Sequence, residues 1–281
     1  MNRRLLLPAA ALALACAADG RAADPRSLVT DPATGAVTMR VNGKACWTYS
    51  PQSKEGKPYF HPLAIPGTDD VFTSHRPPDH NWHLGFWFSW KFINGCNFWE
   101  PDSNGVTRIL SQKLTPAGDG AFTTEATLSY LAKGAEAVRE TRTVRVTTQP
   151  NGNYAVEWDS AFTAVGADAT FSCTPAQKDK AGKRWATGGY AGLMFRFADS
   201  PAFSYFFANA EGKADADCCG EKSARMEVVA TAKADGAKAK ITVADHPDNP
   251  RHPTPWFVRH SPTDHKGRGY YLVGPSMIFH E

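Results

Sequence analysis

Alternation of apolar and polar residues, with a period of two, is the feature that most limits the folds open to this chain. Residues 143–148 alternate as TVRVTT, and Tyr154, Val156 and Trp158 alternate again after the turn residues Pro150–Asn153. Successive side chains of a strand point to opposite faces, so this pattern predicts strands with one buried face. Two such runs joined by a short Pro/Asn/Gly segment predict a β-hairpin.

The same pattern recurs along the rest of the chain. Further strands are predicted at Gly192–Phe197, Met226–Ala230 and Lys240–Val243, with Gly, Pro or Asn between the runs. After the N-terminal segment, no stretch has apolar residues at the 3.6-residue spacing of an amphipathic helix. We therefore expect an all-β protein, a large antiparallel β-sandwich with a barrel as the alternative, in one domain over residues 24–281.

The first 23 residues have the composition of an export signal. Arg3 and Arg4 precede the apolar run Leu5–Ala18, and small residues end the segment at Gly20–Ala23. This run is too short to span a bilayer, and no later segment is long and apolar enough to do so. We predict a signal peptide at residues 1–23 and a periplasmic or secreted protein with no integral membrane association.

Charge excludes one class of partner. Removing Arg3, Arg4, Arg21 and Asp19 with the signal leaves 28 of the 31 basic residues and 27 of the 28 acidic residues. A surface with this near-neutral balance has no electrostatic reason to bind nucleic acid or anionic lipid.

The cysteines predict a structural role. An oxidising compartment permits disulfides, and the odd count after the signal leaves one thiol over. The spacing assigns no pairs: the adjacent Cys218 and Cys219 could bridge each other, or one of them could reach Cys173. The cysteines after the signal are Cys46, Cys96, Cys173, Cys218 and Cys219.

All nine histidines fall into two windows that are also rich in Pro, Asp, Arg and Trp. The first window holds His61, His75, His80 and His83, and the second holds His246, His252, His260, His265 and His280. Histidine exchanges protons near neutral pH and is the commonest metal ligand. We expect the two windows to form two walls of one site; the alternative is that His is simply tolerated in Pro-rich surface loops.

In the first window, residues 83–90 (HLGFWFSW) predict a strand. His83, Gly85, Trp87 and Ser89 would share one face, with Gly85 leaving room for a ligand. The other face, formed by Leu84, Phe86, Phe88 and Trp90, would belong to the core.

His80 lies three residues before His83, in a turn that begins at Pro77–Asp79. The two histidines suit acid–base work on a polar substrate, with Arg76 neutralising a carboxylate or oxyanion. Alternatively, Asp79, His80 and His83 would hold a divalent metal ion, the one cofactor that this spacing suggests.

Residues 245–256 of the second window contain four prolines and cannot be helical. A stiff loop at the end of a strand presents side chains in fixed positions, as a binding site requires. The alternative is a rigid crossover whose Asp and Asn satisfy turn amides. The candidate site residues here are His246, Asn249, Arg251, His252 and Trp256.

Several segments together resemble a family named PmoA-like, or methane oxygenase PmoA, and the likeness covers nearly all of residues 24–281. These segments are PYFHPL (58–63), SHRPPDHNWHLGFWFSW (74–90), NGCNFWE (94–100), GGYAGLMFR (188–196) and DHPDNPRHPTPWFVR (245–259). The resemblance implies an exported bacterial β-sandwich similar to the galactose-mutarotase superfamily. It also implies a further strand segment after Glu281. Family members often carry His and Arg near positions 82–84, where this chain has Trp82 and Leu84. A proton-transfer role that depends on those two family residues is therefore not carried over to this chain.

These observations give three functional hypotheses. The first is an exported carbohydrate-active enzyme, a glycoside lyase, hydrolase or epimerase-like protein, that uses His-assisted proton transfer on a sugar or oligosaccharide. The second is a noncatalytic carbohydrate-binding protein, and the third is the metal-dependent oxidoreductase or oxygenase that the family name implies. The predicted catalytic residues are His80, His83, Arg76 and His246. The predicted substrate-binding residues are His61, Trp87, Glu100, Arg196, Asn249, Arg251, His252 and Trp256.

Overall fold

The computed structural model describes residues 4–14, 26–101, 104–118, 120–182, 185–199, 202–262 and 269–276. Within these ranges the regular structure is antiparallel β-strand, apart from one 3₁₀ turn at Asp215–Cys218. The predicted all-β class is therefore confirmed. The described residues include no helix with the length and apolar character needed to cross a membrane.

The strands are numbered in chain order. They are β1 Arg4–Leu14, β2 Ser27–Thr30, β3 Val37–Val41, β4 Lys44–Ser50, β5 Tyr59–Leu63, β6 Phe86–Ser89, β7 Phe92–Ile93, β8 Cys96–Asn97, β9 Gly105–Ala117, β10 Ala121–Ala132, β11 Ala135–Thr148, β12 Tyr154–Ala164, β13 Phe171–Ser172, β14 Gln177–Lys178, β15 Trp185–Thr187, β16 Gly192–Arg196, β17 Phe203–Asn209, β18 Arg225–Ala232, β19 Lys238–Ala244, β20 Trp256–Ser261 and β21 Tyr270–Pro275.

Two large sheets dominate the fold. One has the order β1-β12-β11-β10-β9, and the other has the order β2-β3-β4-β5-β6-β16-β21-β20. Smaller sheets are β17-β18-β19, β13-β7-β8 and β14-β15. The predicted strands near 192–197, 226–230 and 240–243 are confirmed as β16, β18 and β19. The predicted hairpin is β11-β12, with Thr148 opposite Tyr154.

The predicted signal segment is described only in part. Its residues Arg4–Leu14 form β1, which pairs antiparallel with β12 and has Leu14 opposite Tyr154. Its export role stays a prediction. The C-terminal residues 277–281, where a further strand was expected to follow, lie outside the described residues.

The two large sheets pack face to face through aromatic side chains. The ring of Phe86 lies 5.6 Å from that of Trp158, and the rings of Phe88 and Phe162 are 5.7 Å apart. All four side chains are buried. Burying a side chain of this size contributes about 1.5–3 kcal/mol, so this interface stabilises the association of the sheets and confirms the β-sandwich.

A buried charged group lies within this core. Glu140 and Arg142 are two residues apart on β11 and therefore point to the same face. Arg142 Nε and Nη2 donate to the Glu140 carboxylate at 2.7 and 2.9 Å, and Tyr130 Oη and Ser160 Oγ donate to it at 2.6 Å each. Neither Glu140 nor Arg142 is more than 2% exposed.

The outer face of the eight-stranded sheet carries a second, smaller apolar cluster. Trp87, between Phe86 and Phe88 on β6, points to this side because strand side chains alternate. The cluster consists of Leu84, Trp87, Trp99, Met194, Phe257 and Leu272. It forms the floor on which the candidate site is built.

Two details of the predicted strand 83–90 are wrong. Leu84 packs with Trp87 on the outer face rather than with Phe86, because Gly85 has a φ of +86° and interrupts the alternation before β6 begins. Gly85 also leaves no room for a ligand. A Cβ at this position would lie 2.6 Å from the Phe60 carbonyl oxygen and 3.0 Å from His61 Cβ, so the close approach of β5 fills this space.

Candidate functional site

A pocket of about 350 Å³ lies over the outer apolar cluster. Three parts of the chain supply most of its wall: the turn after Pro77, the segment after β8, and strands β20 and β21. We call it the site pocket. Its lining residues are His80, Trp82, His83, Trp99, Glu100, Thr174, Ala186, Gly188, Tyr190, Phe257, Arg259, Tyr270 and Leu272.

A tight turn brings His80 and His83 together. The backbone N–H of His80 donates to Pro77 O and that of His83 donates to His80 O, each at 3.0 Å. The N–H of Arg76 closes the loop on His83 O at 2.8 Å. The two imidazole rings stack with centroids 4.6 Å apart. The structure thus brings these two predicted site residues together.

His80 is oriented by a carboxylate. Its Nδ1 lies 2.8 Å from Asp79 Oδ2, which leaves Nε2 as the ring nitrogen available to a ligand. Asp79 in turn accepts a hydrogen bond of 3.2 Å from Arg196 Nη2. Burial alone would raise the pKa of Asp79, but the His80 hydrogen bond and the Arg196 charge outweigh it and hold this pKa below its usual value. Asp79 is therefore an anion at neutral pH.

Arg196 is a positioning residue rather than a lining residue. Its side chain is 1% exposed, and Nη2 also donates to Asp199 at 3.0 Å. The guanidinium lies 4.1 Å from the centre of the Tyr270 ring, which is itself 5.2 Å from the His80 ring. The predicted contact between Arg196 and substrate is replaced by this internal role.

His83 has a different environment from His80. It is 2% exposed, its Nδ1 has no hydrogen-bond partner among the described residues, and its ring lies 5.0 Å from that of Trp87. Burial lowers the pKa of His83 well below the usual value, and the nearby charges of His80, Arg196 and Lys57 act in the same direction. His83 is therefore a neutral imidazole at physiological pH.

Glu100 provides a fixed carboxylate on another side of the site pocket. Oε2 accepts hydrogen bonds from Lys91 Nζ at 2.5 Å and Asn97 Nδ2 at 2.6 Å, and Oε1 accepts one from Tyr190 Oη at 3.3 Å. Burial opposes ionisation, but the bonds from Lys91 and Asn97 prevail and lower the pKa of Glu100. Burial and the Glu100 charge raise the pKa of Tyr190, so its phenol keeps its proton.

Aromatic rings connect Glu100 to a cation elsewhere in the pocket wall. The Tyr190 ring is 5.1 Å from Trp99 and 5.3 Å from Phe257. The guanidinium of Arg259 lies 4.3 Å from the centre of the Phe257 ring. Sequence reasoning missed Tyr190, Phe257 and Arg259 because it searched for histidines. The alternation of β20 is the signal that would have found the last two, since they lie on the face opposite Trp256 and Val258.

A family model matches most of the chain. Residues 36–277 match DUF6807, a family of unknown function. The chain belongs to this family. The matched range includes every residue that lines the site pocket. No curated protein and no solved structure matches the chain, so the resemblance to PmoA-like proteins and to the galactose-mutarotase superfamily stays a prediction.

Two predicted residues of the first window lie outside the site pocket in this DUF6807 member. Arg76 donates to both oxygens of Glu55, at 2.8 and 2.7 Å, and to Asn81 O. His61 Nδ1 is hydrogen-bonded to Thr73 Oγ1 at 2.9 Å. The predicted catalytic role of Arg76 and the predicted ligand contact of His61 therefore receive no support from the geometry, because both groups bind within the protein.

The second window forms a rigid crossover around Asp245. Asp245 accepts hydrogen bonds from Asn249 Nδ2 at 2.7 Å and from the Thr254 N–H at 3.0 Å, and its Oδ2 lies 2.8 Å from His252 Nδ1. His246 Nδ1 accepts the N–H of Asp248 at 3.2 Å. This is the structural alternative considered for the window.

None of the predicted residues of the second window lines the site pocket. Arg251, for example, is exposed and lies outside the site pocket. The window still contributes to the pocket wall, but through Phe257 and Arg259 rather than through histidine. His265 and His280 lie outside the described residues.

Both tryptophans predicted to stack on substrate are core residues. Trp256 is 0% exposed and donates from Nε1 to Ser223 O at 2.8 Å. Trp87 is 1% exposed and packs beneath His83. The stacking prediction is wrong for both side chains, and Trp82 and Trp99 line the pocket in their place.

The conditional metal set of Asp79, His80 and His83 does not form a ligand cluster. The described residues contain no group of three or more His, Cys, Asp or Glu side chains arranged to hold a metal ion. The two imidazole rings are inclined by only 21°, so their nitrogen lone pairs lie in nearly parallel planes and do not converge on one ion. Asp79 is also engaged by Arg196.

None of the five described cysteines forms a disulfide. Cys218 Sγ donates to Lys213 O at 3.2 Å, whereas Cys219 Sγ accepts the N–H of Val258 at 3.4 Å and Arg259 Nη1 at 3.3 Å. The two adjacent thiols bind different segments, so neither pairing considered from the sequence forms. Burial raises the pKa of Cys218 to about 11, which keeps it protonated and unreactive.

Proposed function

We propose that the site pocket binds a sugar unit and that His80 transfers a proton to or from it, in an exported carbohydrate-active enzyme. The observation that carries this proposal is the hydrogen bond between His80 and the ionised Asp79. A carboxylate on Nδ1 sets the tautomer of the ring, so that Nε2 carries the lone pair that accepts a proton. The same carboxylate stabilises the imidazolium that forms.

The environment of His83 supports a single base. Its imidazole is neutral and lies against the His80 ring, so it adds no second positive charge beside the proton acceptor. Two cationic rings at this separation would repel each other strongly in a poorly solvated site. The predicted acid–base pair is thus better described as one base, His80, with a neutral neighbour.

Glu100 and Tyr190 supply the polar contacts that a hydroxylated substrate needs. The ionised Glu100 accepts hydrogen bonds from hydroxyl groups, and the Tyr190 phenol, whose proton is donated to Glu100, accepts one through its oxygen. Rings of Trp82, Trp99 and Phe257 provide the apolar faces against which a sugar ring packs.

The pocket volume supports a small ligand. Ligand pockets span roughly 300–1,000 Å³, and a pocket of about 350 Å³ lies at the lower end of this range. It accommodates one sugar unit rather than a long chain. Export, which the proposal includes, rests on the composition of residues 1–23.

The proposal is tested with the full-length protein and a panel of neutral and acidic oligosaccharides, followed by chromatography with mass detection. His80→Gln is expected to lower turnover by about 100-fold or more, because general-base catalysis contributes about 10²–10⁴. Asp79→Asn is expected to lower it by a smaller factor. The matched control is His246→Gln, a histidine outside the site pocket, which should leave turnover unchanged. Wild-type turnover by the His80 variant would overturn the proposal.

Noncatalytic sugar binding is the second candidate, favoured by the aromatic rings along the pocket wall. Calorimetry on the same panel separates the two functions. Saturable binding of an oligosaccharide that stays intact on prolonged incubation, in wild type and His80→Gln alike, would assign the binding function.

A further inference from the structure

Two side chains with a permanent charge line the site pocket among its described residues, Glu100 and Arg259. They are not equivalent. The negative charge of Glu100 is already compensated by Lys91, whose Nζ lies 2.5 Å from Oε2. The buried Lys57 donates to Trp99 O at 3.1 Å behind the same wall, and burial lowers its pKa to about 8. The Glu100 carboxylate is therefore paired within the pocket wall.

Arg259 is held in a fixed orientation. Its guanidinium packs on the Phe257 ring, and Nη1 donates to Val258 O at 3.1 Å and to Cys219 Sγ at 3.3 Å. Phe257 and Cys219 are both buried. A guanidinium fixed in this way loses little conformational freedom on binding, and its planar fork matches both oxygens of a carboxylate.

Two aromatic side chains connect Glu100 to Arg259 along the pocket wall. Successive contacts run from Glu100 to Tyr190, from Tyr190 to Phe257, and from Phe257 to Arg259. Two aromatic rings thus stand between the Glu100 carboxylate and the Arg259 guanidinium. A ligand with hydroxyl groups at one end and an anionic group at the other fits this polarity without placing two carboxylates in contact.

Arg259 is also close to the wall that carries the proposed base. Burial raises the pKa of Tyr270, and the charges of Arg196 and Arg259 oppose that rise. The Tyr270 ring is 5.2 Å from the His80 ring. A group bound by Arg259 would therefore lie in the same pocket as Tyr270 and His80.

We propose that the sugar unit carries a carboxylate, as in a uronic acid, and that Arg259 binds this carboxylate. The inference rests on the proposed function and names its substrate class. A carboxylate is favoured over a phosphate, because one guanidinium balances its single charge, whereas a phosphate carries up to two negative charges and three acceptor oxygens.

Calorimetry with matched probes tests the substrate class on the full-length wild-type protein. The probes are glucuronate, galacturonate and mannuronate, each beside its uncharged methyl ester, its neutral parent sugar and the parent's 6-phosphate. At least one uronate is expected to bind about tenfold or more tightly than its ester, since the ester loses the charge-assisted hydrogen bonds of the carboxylate. This preference should weaken as salt is added.

Variants then assign the contact. Arg259→Gln should remove the preference for the uronate over its ester while leaving binding of the ester, and Arg259→Lys should retain part of the preference. The matched control is Arg251→Gln, an exposed arginine outside the pocket, which should keep the full preference. Circular dichroism of each variant shows that the fold is retained.

The outcomes separate the two proposals. Equal binding of uronate and ester by wild type, or tighter binding of the 6-phosphate, would overturn the carboxylate inference and leave the proposed sugar site standing. An unchanged preference in a folded Arg259→Gln variant would overturn the role of Arg259. If no uronate, ester or neutral sugar bound at all, both the inference and the proposed function would be overturned.

Discussion

His80 and His83 are three residues apart and stack on each other, yet their surroundings give them different chemistry. His80 is bonded to an ionised carboxylate and lines the site pocket. His83 lies beneath it, nearly without exposure, and burial keeps it neutral. The residue type alone indicated proton transfer for both. We assign the proposed proton transfer to His80 because it is the more accessible of the two and has the carboxylate beside it.

The stacked pair of His61 and His75 predicts acid sensitivity. Burial lowers the pKa of His61 to about 4, from an ordinary value of 6.5, and the charge of His75 adds to this effect. The unfolded chain therefore takes up the proton first as pH falls. Stability is complete above pH 6.5 and decreases as pH falls towards 4.

His61→Asn tests this titration, because an amide keeps a hydrogen bond to Thr73 and has no proton to gain. Between pH 7.5 and 4.5 the variant should lose about 2 kcal/mol less unfolding free energy than wild type, measured by urea denaturation. An identical pH dependence in the two proteins would show that His61 is not the titrating group.

At the scale of elements, strand β11 shows what alternation predicts and what it leaves open. The pattern correctly placed a hairpin at β11-β12, because one face of each strand meets the core. It did not reveal that Glu140 and Arg142 point into that core, where Tyr130 and Ser160 complete their hydrogen bonds. Charged residues are usually assigned to the solvent face, and only the packed sheets show a buried pair.

Breaking this pair should be costly. Glu140→Gln leaves the Arg142 charge uncompensated in the core, so we expect it to lower the unfolding free energy by about 3–5 kcal/mol. The matched control is Glu136→Gln on the same strand. Its partner Arg139 is 48% exposed, so that change should cost less than about 1 kcal/mol.

Urea denaturation of both variants provides the measurement, and the double variant Glu140→Leu/Arg142→Leu should be less destabilised than Glu140→Gln. Equal small losses for Glu140→Gln and Glu136→Gln would mean that the buried pair is not a determinant of stability.

For the molecule as a whole, stability comes from the packing of two large sheets and not from covalent cross-links. None of the five described cysteines forms a disulfide, and four of them are buried. A thiol that is buried and protonated behaves as a small apolar side chain. This explains why the predicted structural role holds although neither suggested pairing does.

Reductant should therefore leave thermal stability unchanged. The melting temperature of the purified protein is expected to be the same with and without dithiothreitol. A thiol reagent should react slowly with the native protein. After unfolding in guanidinium, the same reagent should modify at least five thiols per chain. A fall in melting temperature on reduction would reveal a disulfide and contradict this account.

The sequence by itself determined the fold class, the main hairpin and the proximity of His80 to His83, because each depends on periodicity or on residues a few positions apart. The tertiary structure alone decided which distant groups share the pocket. It placed Glu100, Tyr190 and Arg259 around His80, and it placed Arg76, His246 and Trp256 elsewhere. The type of a residue shows which chemistry its side chain is capable of. The solvent access and the bonding partners of that side chain depend on the order of strands in the sheets, which no local pattern in the chain encodes.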